Sequence, residues 1–142
     1  MPGRYLAVLI AALAALPAIA QPPDSAAIVT VRPVLSKSAA TPASITRAAV
    51  VLTIKPGYHI NTNRPGESWM VPTEVVIGPP IGVKAKNIVY PRASKSLKVA
   101  GSAAPSPVWE GKVTVTFDLV VGGNVKPGRL KLKGMVRFQQ CA

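Results

Sequence analysis

Residues able to do chemistry are scarce in this chain. Its 142 residues include one cysteine, one histidine and five Asp+Glu. A single Cys excludes an internal disulfide framework, and one Cys with one His excludes a zinc site of the usual four-ligand kind. Five acidic residues leave little material for paired-carboxylate catalysis. Aromatic residues amount to only 5%. The 17 Lys+Arg are spread along the chain rather than interleaved with those aromatics, so no stacking platform for nucleic acid is visible. Most enzyme classes are therefore disfavoured. What the chain does have is apolar material: 49% hydrophobic residues, too many for a disordered polymer despite a net charge of +12. Its length suits one ordinary domain.

The first twenty residues read as an export signal. Arg4 and the amino terminus form a small positive region, and Leu6 to Leu16 is an unbroken apolar run. Pro17 ends any helix, and Ala18-Ile19-Ala20 has the small-x-small pattern that signal peptidase accepts. The run is shorter than the roughly 20 residues that cross a hydrocarbon core. No Cys follows it, which excludes a lipid-anchored lipoprotein. The expected organisation is a signal peptide over 1–20, a linker over 21–26 and one domain over 27–142. The expected location is the periplasm or another extracytoplasmic space, where thiols tend to be oxidised.

The remainder reads as short strands separated by Pro and Gly, with no helical period. Strands are expected at 27–31, 44–54, 73–77, 83–89, 97–99 and 112–121. In the second, Val50, Leu52 and Ile54 share a face, and the Ala48-Ala49 step suggests a bulge. In the last, Val113, Val115, Phe117, Leu119 and Val121 point one way. After turns at Gly122-Gly123-Asn124 and Pro127-Gly128, a further strand is expected from Arg129 to Gln140. There Leu130, Leu132, Val136 and Phe138 would face inward. About seven short strands with turns between them fit an all-β domain of the β-sandwich kind.

One stretch is denser in unusual choices than a loop needs: Gly57-Tyr58-His59-Ile60-Asn61-Thr62-Asn63-Arg64-Pro65, then Glu67-Ser68-Trp69-Met70-Val71-Pro72-Thr73-Glu74. Tyr90-Pro91, Val108-Trp109-Glu110-Gly111-Lys112-Val113 and Arg137-Phe138-Gln139-Gln140-Cys141 follow downstream. In this order, across roughly Ile28 to Cys141, these motifs resemble the N-terminal periplasmic domain family of the thiol:disulfide interchange protein DsbD. The resemblance implies an immunoglobulin-like sandwich whose last strands carry a redox-active cysteine pair. Such a pair takes electrons from a membrane-embedded donor domain and passes them to periplasmic thioredoxin-like proteins. Cys141 falls on the first cysteine of the pair. The family's second cysteine lies several residues further on, before a Pro-Pro stretch and a closing strand, and the sequence ends at Ala142. The expectation is thus a truncated copy with an impaired relay. A non-enzymatic binding or structural β-sandwich that has lost the redox pair is the alternative.

Cys141 is the expected nucleophile or mixed-disulfide partner, since exchange proceeds by thiolate attack on a disulfide. Strand parity sets it on the face of Lys131, Lys133 and Arg137, hence exposed in a positive field. The loop between Ala93 and Val108 is expected, by its position in the family, to cap the thiol. His59 and Asn61 are expected to hydrogen-bond backbone or flank the thiol, with Tyr58 and Trp109 as further flanking residues. His59 as a base for Cys141 lacks an orienting third residue. Met70 and Met135 with His59 raise a copper site, but Met135 belongs to a strand face and the spacing is unspecific. No metal, cofactor or nucleic acid is expected. Without a closing strand, the 129–140 strand would keep an open edge, and self-association is expected through it.

Overall fold

The computed structural model describes residues 24–142. The expected signal peptide over 1–20 and linker residues 21–23 lie outside the described residues. The chain opens with one helical turn, α1 (Ser25–Ile28), inside the stretch expected to be linker and domain start. Asp24 Oδ1 accepts from the Ala26 N–H at 3.1 Å and so caps it. Everything after it is strand and loop: β1 (Val29–Leu35), β2 (Ser44–Ile54), β3 (His59–Asn61), β4 (Glu74–Gly78) and β5 (Val83–Val89) come first. β6 (Lys95–Leu97), β7 (Ser106–Trp109), β8 (Lys112–Val121), β9 (Lys133–Arg137) and β10 (Gln140–Cys141) follow. The protein is all-β, with antiparallel pairing throughout the described ladders.

One four-stranded sheet runs β1-β2-β8-β5, a second runs β10-β3-β7-β6, and β4 pairs with β9 in a two-stranded sheet. β2 and β8 form the longest ladder, from Ser44↔Val121 to Thr53↔Lys112. Their strict alternation turns Thr46, Ala48, Val50, Leu52 and Ile54 inward against Val113, Val115, Phe117 and Leu119. The core cluster joins all three sheets. Ile60 and Trp109 enter it from the second sheet and Val75 from the third.

Several expectations are corrected. No bulge breaks β2 at Ala48-Ala49, where the register is continuous. Ala48 is small where it stands opposite Phe117, so a large inward ring meets a small neighbour, while Ala49 points to the other face opposite Thr116. The irregularity lies instead in β5 between Lys86 and Val89, around Asn87 at φ 55°. The long strand from Arg129 to Gln140 is two strands. β9 has five residues because β4 has five, and Pro79-Pro80 follows the end of β4. Leu130 and Leu132, expected inside, are 51% and 37% exposed, whereas Val136 and Phe138 do pack on the core. No described helix is long and apolar enough to cross a membrane.

Candidate functional site

The motif-dense segments meet on the second sheet. Ile60 is fully buried in the core, so His59 and Asn61, one residue to either side, face away from it. β10 lies beside β3 with Cys141 opposite His59 and Gln140 opposite Ile60. Opposed residues in an antiparallel ladder share a face, with Cβ atoms about 4.5–5.5 Å apart. Cys141 and His59 are therefore neighbours on the sheet face turned from the core.

That face is roofed by two loops. The first, after β3, returns as Trp69-Met70-Val71 and is tied down by Asn61. The Asn61 Nδ2 donates to the Val71 carbonyl at 3.0 Å and to Gln139 Oε1 at 3.0 Å. Gln139 Oε1 accepts a second bond, from the Val71 N–H at 3.2 Å. Thr73 Oγ1 donates to the Asn61 carbonyl. The second loop leaves β6 through Leu97, Lys98 and Val99, inside the stretch expected to cap the thiol. Between the loops lies a cavity of about 350 Å³, with Cys141, His59 and Asn61 on its floor side and Trp69, Met70, Leu97 and Val99 among its other walls.

Cys141 is half-buried, not fully exposed. Lys131, Lys133 and Arg137 do not line its cavity. They precede the break between β9 and β10, and Arg137 pairs with Glu74 across β4–β9. Lys98 is the cation among the lining residues. Of the expected flanking residues, the structure brings His59 and Asn61 to the thiol but not Tyr58 or Trp109. Tyr58 packs against the core cluster. Trp109 stands opposite Ile60 on the core face, stacks on Tyr90 with centroids 6.1 Å apart, and donates from Nε1 to the Arg92 carbonyl at 2.9 Å. Leu97 and Val99 come from the stretch expected to cap the thiol, whereas Met70 and Trp69 are cavity residues that the sequence did not single out for it. The one signal that could have placed Met70 and Trp69 there was their closeness in sequence to His59.

No protein-family model, no curated protein and no solved structure matches this chain.

The site's chemistry therefore follows from its own residues. All five acidic side chains are engaged elsewhere. Asp118 pairs with Arg47 at 3.2 Å, Glu110 with Lys95 at 2.6 Å and Glu74 with Arg137, while Glu67 accepts from the Ala103 N–H and Asp24 caps α1. None of them lines the cavity. No group of three His, Cys, Asp or Glu converges among the described residues. The cavity thus offers a thiol, an imidazole and a thioether inside largely apolar walls. It is suited to sulfur chemistry and holds no Asp or Glu side chain for general acid–base catalysis.

Proposed function

We propose that this chain is an exported immunoglobulin-like β-sandwich of the DsbD N-terminal kind, and that Cys141 exchanges disulfides with thioredoxin-like proteins. Two four-stranded antiparallel sheets that contribute to one core support the sandwich reading. The observation that carries the exchange reading is the position of Cys141: half-buried on the floor side of a roofed cavity, beside His59, with Leu97 and Val99 among the other lining residues.

The chemistry is a single displacement. The Cys141 thiolate attacks one sulfur of a partner disulfide, the partner's S–S bond breaks, and the departing sulfur leaves as a thiolate that takes up a proton. The product is a mixed disulfide between Cys141 and the partner. A thiolate of another dithiol molecule then attacks the Cys141 sulfur and releases the reduced partner, and that molecule's other thiol displaces Cys141 as it closes its own disulfide. Apolar walls around the thiol suit docking of an uncharged segment flanking the partner's disulfide.

The test is covalent capture. The purified protein is incubated with an oxidised thioredoxin-like protein and run on a non-reducing gel. An adduct that disappears with Cys141→Ser supports the reading. Absence of an adduct, with Cys141 shown to be alkylatable, leaves the alternative of a binding or structural sandwich.

A further inference from the structure

Met70 is the buried thioether at the cavity, and it lies outside the main core cluster. It is 4% exposed, yet it does not belong to the cluster that joins the three sheets. It sits in the roof loop, where its backbone N–H donates to the Glu67 carbonyl, and its side chain lines the same cavity as Cys141 and His59. We infer that this cavity is a cuprous-ion site, with Cys141 Sγ, the His59 imidazole and Met70 Sδ as its three ligands.

The donor set decides the metal. Thiolate and thioether are soft ligands that select Cu(I), and imidazole also suits copper. Zinc takes four ligands, and magnesium or calcium takes oxygen ligands. The cavity lining offers no second His or Cys and no side-chain carboxylate. Charge points the same way. On binding, the Cys141 thiol releases one proton and the thiolate cancels the single charge of Cu(I), so Lys98 at the wall opposes a monovalent ion far less than a divalent one. The strand register supplies the geometry for two of the three ligands: His59 and Cys141 stand opposite each other, and cross-strand side chains whose Cβ atoms are about 5 Å apart can close on one ion at first-row metal bond lengths of roughly 2.0–2.3 Å. Met70 comes from the loop that lines the same cavity. Met135, the other methionine that the sequence set beside His59, is excluded: it lies on β9 and is 64% exposed.

This inference rests on the cavity and not on disulfide exchange. The test is anaerobic titration of the purified protein with Cu(I), kept reduced by ascorbate, in competition with the chromophoric chelator bicinchoninate. The expected result is one Cu(I) per chain, protection of Cys141 from alkylation by the bound ion, and no comparable uptake of Zn(II). Cys141→Ser abolishes the competition. Met70→Leu, which conserves volume, weakens affinity at least about tenfold, since changes outside the ligand shell alone cost 10–100-fold. Because the volume is conserved, the melting temperature of Met70→Leu stays close to the parent's, so a fall in affinity reads as a lost ligand. Failure of the parent protein to take copper from the chelator overturns the inference. So does a Met70→Leu variant that binds as tightly as the parent, which would mean capture by a lone thiol. A protein that binds Cu(I) but forms no adduct with thioredoxin-like disulfides loses the exchange reading and keeps this one, and the converse also holds.

Discussion

The Asn61 side-chain amide donates to Gln139 Oε1 at 3.0 Å, across 78 positions of sequence, and its second N–H holds the Val71 carbonyl at 3.0 Å. One buried amide thus clamps Gln139, the residue that leads into β10 and Cys141, to the loop that roofs the cavity. Asparagine is suited to this because its amide has two donors, whereas an aspartate would face two carbonyl-type oxygens with acceptors only. Asn61→Ala leaves both acceptors without this donor and is expected to cost about 1–3 kcal/mol of stability by denaturant unfolding. It also loosens β10, so Cys141 alkylates faster. Unchanged stability and unchanged alkylation would show that the clamp is idle.

Trp109 separates a structural role from a site role. Its indole N–H donates to the Arg92 carbonyl on the core side of the sheet. Trp109→Phe retains an aromatic ring and leaves that carbonyl unpaired, at a cost of about 1–3 kcal/mol. Because Trp109 faces away from the cavity, the alkylation rate of folded Cys141 is expected to stay at the parent value. A several-fold change under native conditions would place Trp109 functionally at the thiol.

The roof loop after β6 gives a third expectation. Leu97 and Val99 are half-buried where they line the cavity. The double substitution Leu97→Ser with Val99→Ser removes apolar cover at little cost to the core, since neither residue belongs to the core cluster. Alkylation of Cys141 by a bulky maleimide should rise several-fold while the melting temperature changes little. Equal rates would show that the loop is no cap.

Self-association is expected through the β4–β9 sheet, which has only two strands and so leaves backbone groups on both outer sides without a ladder partner among the described residues. Val76 opposite Met135 exposes an apolar pair on it. Met135→Lys sets a charge on that surface and should lower the sedimentation-derived oligomer fraction. A parent protein that stays monomeric at high concentration contradicts the expectation.

Much of the fold was legible, and unevenly so. β2, β5 and β8 begin and end where hydrophobic alternation and turn residues set them, because seven to eleven residues of period two are a strong signal. β3 and β10 have three and two residues, too few to show any period, and they hold the thiol. The sequence from Arg129 to Gln140 alternates well but lacks a partner of equal length, so pairing stops at Lys133. The juxtaposition of Cys141 with His59 depends on cross-strand register, which no local pattern encodes. The parity of Cys141 against Phe138 was readable, but not the roof that half-buries it.

The central claim is that Cys141 is a thiol shaped for a protein disulfide. The most direct measurement is the rate of mixed-disulfide formation with an oxidised thioredoxin-like protein, set beside the rate with a small aromatic disulfide, with the adduct mapped by mass spectrometry. The account predicts an adduct at Cys141 with the protein disulfide, lost in Cys141→Ser and retained in Trp109→Phe. Ready reaction with the small disulfide and none with the protein would contradict it.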